Sequence, residues 1–128
     1  MATWDDVARL ARALPEVTEE PTHDQNRSWR VRDKAFAWER PLRPKDVAEL
    51  GAAAPAGPVL AVRVADVGAR DALVADSPAV YFTTSHFAVY PAVLVRLDAI
   101  DVAELTEALE EAWACRAPRR LVAQHRPS

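Results

Sequence analysis

The sequence is poor in cysteine and glycine, and each shortage excludes a class of protein. Cys115 is the single cysteine among the 128 residues, so an internal disulfide framework is excluded. The three glycines are scattered, so there is no glycine-rich phosphate-binding loop. We expect Cys115 to be a small buried hydrophobic residue, because no histidine or carboxylate is spaced to activate its thiol.

Long apolar runs and an excess of positive charge are also missing. No apolar run approaches the roughly 20 residues of a membrane-spanning helix. The N-terminal segment MATWDDVARL has acids where a secretion signal would be basic. These features predict a cytoplasmic protein with no membrane partner. The formal net charge of −3 excludes a globally basic nucleic-acid-binding protein but leaves a local basic patch open.

No set of residues signals a metal ion, a cofactor or a catalytic centre. The acidic residues between Glu16 and Asp24 surround His23, but no second histidine stands at ligand spacing, so we predict a solvated loop there. His86 and Tyr90 would make an acid/base pair, yet no serine or cysteine nucleophile is spaced to join them. We therefore predict a protein with no metal, no cofactor and no catalytic residue.

Hydrophobic spacing predicts one α+β domain over residues 1–128. Capping signals at Thr3, Asp66 and Asp101 each precede a helical pattern, and the last of these helices is expected to bury Trp113. Strands are predicted at 28–31, 35–38, 59–64, 80–83 and 92–97, and a minor helix at 45–50. Short strands joined partly by hairpins favour a two-layer fold with an antiparallel five-stranded sheet. Helices would cover one face, in the order α-β-β-β-α-β-β-α.

Two-residue alternation predicts which side chains share the outer face of that sheet. In the last strand Val93, Val95 and Leu97 point one way and the intervening residues the other. The same parity predicts a basic floor with one aromatic ring, made of Arg30, Arg63, Tyr81 and Arg96. Such a floor would receive phosphates or stack bases. The same face also carries three apolar residues, equally typical of a protein partner or a homodimer: Val59, Ala61 and Leu94.

The aromatic residues of the first hairpin are predicted to be mostly core. Trp29 and Val31 share one face of their strand, and Phe36 and Trp38 share a face of the next. The turn between the two strands is Arg32-Asp33-Lys34.

Charge is distributed unevenly along the chain. Residues 27–45 hold seven cationic and two acidic side chains, a net +5, and residues 116–126 hold four arginines and no acid. These two stretches carry net charges of +5 and +4. Because the whole chain has a net charge of −3, the remaining residues together carry −12. Such asymmetry is typical of a protein that meets a polyanion with one face. The alternative is that these arginines pair with the acids of the same chain.

Four segments resemble the MmcQ/YjbR family: residues 29–37 (WRVRDKAFA), 81–87 (YFTTSHF), 90–95 (YPAVLV) and 117–121 (APRRL). The resemblance extends from the first helix to the last. It implies a fold similar to CyaY/frataxin and to secretion chaperones, and it implies DNA binding, which members are commonly assigned. It supplies no catalytic residues. The chain departs from the family at the turn 32–34, where members often have a glycine before the lysine, and at Ala88-Val89, where Asp-Gly or a similar pair is common.

We therefore predict a non-catalytic binding module that binds DNA weakly and in a salt-sensitive way through a basic hairpin and sheet face. The residues predicted to contact nucleic acid are Arg27, Arg30, Arg32, Lys34, Arg63, Arg96, Arg119 and Arg120. One alternative is a chaperone-like module that binds a protein or peptide, or that forms a homodimer. Another is a small-ligand binder or enzyme whose residues would be Trp29, Lys34, His86 and Tyr90, with Trp29, His86 and Tyr90 lining the pocket.

Overall fold

The structure of the chain, a computed structural model, describes residues 1–126. Its helices are α1 Trp4–Arg12, α2 Pro44–Leu50, α3 Val67–Asp76, α4 Val102–Arg116 and α5 Arg119–His125. Its strands are β1 Val17–Pro21, β2 Arg27–Val31, β3 Lys34–Glu39, β4 Val59–Arg63, β5 Tyr81–Phe82 and β6 Ala92–Arg96. The strands form one antiparallel sheet in the order β1-β2-β3-β4-β6-β5. The predicted α+β class is confirmed. None of the helices in this described part of the chain is long and apolar enough to cross a membrane.

The predicted helix starts are explained by local hydrogen bonds. The Thr3 hydroxyl accepts from the Asp6 N–H at 3.2 Å and the Asp6 carboxylate accepts from the Thr3 N–H at 3.0 Å, which completes the capping box of α1. At α4, Asp101 accepts from the Glu104 N–H at 2.7 Å. The second predicted box is only half formed, because the Glu104 carboxylate accepts from the Tyr81 hydroxyl instead.

The main core lies between one face of the sheet and the helices α1, α4 and α5. Trp29, Phe36 and Trp113 are fully buried in it, and Val93 and Val95 of β6 face it as predicted. Tightly packed aromatic residues of this size supply much of the apolar area that a domain of this length buries.

The sheet has six strands rather than the predicted five, because residues 17–21 form the edge strand β1 instead of a loop. Val17 pairs with Val31, and Pro21 pairs with Arg27. An edge strand has only one neighbour, so it tolerates the charges and the proline that suggested a loop. Residues 117–126 also differ from the prediction, since this basic turn forms the helix α5.

A β-bulge separates two aromatic side chains that were predicted to share a face. The pairing of β2 with β3 shifts by one residue between Trp29 and Arg30, which leaves one extra residue on β3. Phe36 therefore joins Trp29 in the main core, whereas Trp38 lies on the opposite face.

The second face, which is the sheet face turned away from α1, α4 and α5, is less open than predicted. It carries a smaller core in which Phe87 and the partly buried Leu42 and Leu50 cover the strands. The strand residues buried there are Val59, Ala61, Phe82, Ala92 and Leu94. A second apolar layer therefore occupies much of the surface that was predicted to be a floor.

Tyr81 does not belong to the basic floor. It pairs with Val95, faces the main core and is 3% exposed. Its hydroxyl donates to Glu104 at 2.6 Å, and burial, followed by the Glu104 carboxylate, raises the pKa of Tyr81. The prediction was wrong because a tyrosine ring packs in a core as readily as phenylalanine when its hydroxyl finds an acceptor.

Candidate functional site

The loop between β5 and β6 is held over the second face from two sides. Glu49 of α2 accepts from the Ser85 N–H at 2.9 Å and from the Ser85 hydroxyl at 2.6 Å. The buried Arg70 of α3 donates to the Phe87 carbonyl at 2.6 Å. Charge-assisted bonds of this kind are stronger than neutral ones, so they fix the short helical turn Ser85–Phe87 on the sheet.

Four aromatic rings lie together near this loop: Trp38 of β3 and, from the loop itself, His86, Phe87 and Tyr90. The Phe87 ring is buried, and its centroid lies 5.0 Å from that of His86 and 6.3 Å from that of Tyr90. Trp38 meets Tyr90 edge to face at 6.3 Å. Tyr90 is 40% exposed and His86 is also exposed, so the cluster presents these two rings to solvent, with the buried Phe87 and the partly buried Trp38 packed against Tyr90.

A buried ion pair lies beneath the same loop. Arg40 donates to Asp46 at 3.1 Å, and its guanidinium carbon lies 5.4 Å from the Phe87 ring centroid. Burial alone would raise the pKa of Asp46, but the Arg43 N–H and the Arg40 guanidinium outweigh it and lower the pKa. This pair joins the start of α2 to β3 and so fixes one wall of the site.

The walls enclose a cleft of about 580 Å³ on the second face. Its lining includes Trp38, Arg40, Leu42, Arg43, His86 and Tyr90. Rings and guanidinium groups in one cleft suit a planar ligand, an anionic ligand, or one that is both. Among residues 1–126 no three potential metal ligands from histidine, cysteine, aspartate and glutamate come together.

Arg63 borders the exposed ring of this cluster. Its guanidinium carbon lies 5.2 Å from the Tyr90 ring centroid, and Nη1 lies 3.4 Å from the Tyr90 hydroxyl. Within the described residues its Nε is buried without a hydrogen-bond partner. Because Nε is enclosed, only the terminal N–H groups of Arg63 are available to a ligand, and one of these donates to the Tyr90 hydroxyl at 3.4 Å.

Arg30 lies on the same face of the sheet, two strands away. It pairs with Ala35 of β3, and β4, which carries Arg63, is the next strand. Two strand spacings separate the backbones of the two arginines by about 10 Å. Within residues 1–126 neither arginine has a carboxylate at ion-pair distance. Ala35, the β3 partner of Arg30, has a small side chain and therefore adds little height to this part of the sheet surface.

Two of the predicted contact residues are already neutralised. Arg27 donates to Glu19 at 2.9 and 3.1 Å, and Arg32 is paired with Glu16. The bonds lower the pKa of both glutamates, mainly through the hydrogen bonds from the arginines. The missed strand β1 supplies Glu19, and Glu16 precedes it, so the hairpin is less basic than its own sequence indicates.

The remaining predicted cations are spread over three places. Lys34 is exposed at the hairpin turn. Arg96 donates to the Ala53 carbonyl at 2.9 Å and covers the Phe82 ring at the far end of β6. Arg119 and Arg120 are exposed on α5, in the helical layer. The two basic stretches therefore do not form one surface.

The predicted ligand pocket is only partly assembled. His86 and Tyr90 line one cleft, but Trp29 is fully buried in the main core, where its Nε1 donates to Glu19 at 3.0 Å. Trp38 takes the position that was expected for Trp29. The bulge separates Trp38 from Phe36 on β3, and no residue of the hairpin signals a bulge in the sequence. Trp29 lies in the core by the ordinary alternation of β2.

Comparison with known proteins gives consistent matches. The YjbR family model matches residues 12–115. Uncharacterized protein Rv2570 of Mycobacterium tuberculosis and Uncharacterized protein Mb2600 of Mycobacterium bovis are each 52% identical over 125 residues, covering 95% of this chain and 94% of the relative. The crystal structure of Deinococcus radiodurans protein DR2400, with a DUF419 domain, is similar at a TM-score of 0.64 and 20% identity. That match covers 88% of this chain and 77% of the other. At this identity it supports the fold alone.

Proposed function

The chain belongs to the YjbR family, as its four segments predict, and from this premise we propose that it is a non-catalytic module that binds single-stranded nucleic acid on the second face. One observation carries the proposal: the unpaired guanidinium of Arg63 lies against the exposed ring of Tyr90. The names of the relatives specify no ligand, so the proposal depends on this geometry.

Arg30 and Arg63 are suited to phosphate because they lack acidic partners within the described residues. A guanidinium binds phosphate oxygens through two parallel N–H groups, and neutralising each phosphate releases condensed counterions. Lys34 stands at the end of the same hairpin and extends the cationic edge.

The aromatic cluster favours a single strand over a duplex. Bases in a duplex are stacked on one another, so a protein ring stacks only on an unpaired base. Tyr90 presents such a ring, and Trp38 behind it leaves little freedom for the ring to turn away. A bound nucleic-acid strand would then run along both the sheet face and the cleft next to it.

We expect weak binding, because the net charge of −3 opposes association with a polyanion. A labelled oligothymidine at low salt should bind with a Kd in the range of roughly 10⁻⁴ to 10⁻⁶ M, and log K should fall by about 0.7 per phosphate contact for each unit of log salt. The double reversal Arg30→Glu/Arg63→Glu should abolish binding, measured by fluorescence anisotropy.

The matched control is Arg119→Glu/Arg120→Glu, which changes the charge equally on α5 in the helical layer. It should retain binding within about threefold, since those arginines lie off the second face. Equal loss in both double variants would show that only net charge matters. No binding near 100 μM protein would also reject the proposal. Circular dichroism of each variant confirms that the fold is intact.

A small-ligand or enzymatic role is the second candidate, and the cleft volume of about 580 Å³ is the observation that favours it. His86 is exposed and lines the cleft, and its ring packs edge to face against that of Phe87 at 5.0 Å. In a screen of hydrolase and transferase substrates we expect no turnover that His86→Ala abolishes. Turnover lost in that variant, but kept in Lys34→Ala outside the cleft, would replace the binding-module proposal with an enzymatic one.

A further inference from the structure

A cavity larger than the cleft lies on the opposite layer from the proposed nucleic-acid site. It is a groove of about 1000 Å³ between α3 and α4, with β4 at its base. Small and apolar side chains line it, among them Ala69, Ala72 and Leu73 of α3 and Ala103 and Ala108 of α4. Because alanines line both walls, the two helices leave an open channel instead of packing against each other.

The rim of this groove is strongly acidic. Its carboxylates are Asp76, Asp101, Glu104, Glu107 and Glu111, and Arg63 at one end is the single cationic lining residue. Arg126 pairs with Glu111 at 3.0 Å. Within residues 1–126 the other four carboxylates have no cation at ion-pair distance. Like charges gathered along a low-dielectric channel favour a cationic occupant.

The dimensions of the groove suit a helix of about three turns. Its lining residues on α4 extend from Ala103 to Cys115, about 18 Å along the helix axis. Cys115, which was predicted to be buried, is exposed at the end of this row. An occupant of about twelve helical residues would fill this length.

One basic residue of the chain already pairs with acidic residues of α4. Arg126, just after α5, donates to Glu110 and to Glu111, each at 3.0 Å. Arg126 thus covers only the Glu111 end of the groove rim, and within residues 1–126 no cation pairs with Glu104 or Glu107 farther along α4. A basic helix in the groove would repeat this pairing while covering the alanines.

We propose that the groove is a docking site for a basic amphipathic helix of a partner protein, with small apolar residues on the side that enters and lysine or arginine at the margins. This is helix-in-groove recognition, in which apolar area supplies affinity and complementary charge sets orientation. The groove and the nucleic-acid site lie on opposite sides of the sheet and share Arg63, which lines one end of the groove. Neither proposal depends on the other.

The test is a titration with a labelled synthetic peptide of about fourteen residues, with alanine and leucine on one helical face and lysine on the other. A scrambled isomer of the same composition is the first control. We expect the amphipathic peptide to bind at least about tenfold more tightly than the scrambled one. Filling the groove with Ala72→Trp, at an exposed position of α3, should remove this difference.

Charge is tested with Asp76→Lys/Glu107→Lys, which should weaken binding by about tenfold or more. Glu20→Lys/Asp24→Lys makes the same charge change beyond the groove and should have less than a threefold effect. Equal binding of the scrambled peptide, or binding indifferent to Ala72→Trp, would overturn the proposal. So would a concentration-dependent dimer that Ala72→Trp abolishes in sizing experiments, since the occupant would then be a second copy of this chain.

Discussion

Trp113→Ala will lower the free energy of unfolding by roughly 3–5 kcal/mol, as truncation of a large aromatic residue in a core does. Trp113 is a residue of α4, and its side chain is 0% exposed in the main core. Its Nε1 donates to the Pro15 carbonyl at 3.1 Å, and its ring meets His125 at 5.0 Å. The substitution therefore leaves a cavity and also removes the donor for a carbonyl at the end of the α1 region.

Thermal and denaturant unfolding measure this loss, which corresponds to a decrease in Tm of roughly 10–20 °C for a domain of this size. Trp113→Phe is the partial control, since it keeps one aromatic ring in the core but loses the five-membered ring of the indole and the hydrogen bond to Pro15; its loss should be smaller than that of Trp113→Ala. Val89→Ala, at a side chain that is 91% exposed, should change stability by less than about 0.5 kcal/mol. If Trp113→Ala melts within a degree or two of the wild type, the helical layer does not pack as described.

Asp46→Ala will have an effect of similar size, about 3–5 kcal/mol, because it leaves Arg40 buried without a counter-charge. Arg40 is 6% and Asp46 is 4% exposed, and the pair is joined at 3.1 Å. Asp46 also accepts from the Arg43 N–H at 2.9 Å, so α2 loses its N-terminal cap in the same variant. Denaturant unfolding at neutral pH measures the loss.

The pH dependence of that loss has a definite sign. The pKa of Asp46 is lowered on folding, so its contribution is present above the pKa of the unfolded chain, near 4, and disappears as pH falls through the folded value. The difference between wild type and Asp46→Ala should therefore shrink in acid. The double variant Arg40→Leu/Asp46→Ala should recover part of the stability, since no buried charge is left alone. A double variant less stable than Asp46→Ala would show that the pair is not coupled.

Much of the fold was predictable because the signals are local. The alternation of β6 correctly separated Val93 and Val95 from Leu94, and the Thr3–Asp6 capping box correctly placed the start of α1. Trp113 was correctly assigned to the core from helical spacing. The edge strand β1 was missed because a strand with one neighbour needs no apolar alternation, and its pairing with β2 is a tertiary contact.

The candidate site was predicted less well, because it depends on which side chains meet across strands. The sequence grouped His86 and Tyr90 with Trp29 in one candidate pocket, whereas the cleft of the structure has Trp38 beside His86 and Tyr90. Trp29 follows the regular alternation of β2 and shares the core face with Val31, whereas Trp38 pairs with Ser28 on the opposite face. The bulge on β3 separates Trp38 from Phe36, so the facing of Trp38 could not be predicted from alternation alone. The sequence also counted Arg27 as an available cation, although strand β1 brings Glu19 beside it.

The amino-acid sequence alone was enough to predict the family, the α+β class, the helix caps and the alternating faces of the central strands, since each depends on residues a few positions apart. The folded chain was needed to show which arginines keep an unpaired charge, which tryptophan reaches the cleft, and that an acidic groove separates α3 from α4. These features require residues far apart in the chain to be within a few ångströms of one another. Charge neutralisation and cavity shape depend on distance in space, which composition and spacing along the chain do not specify.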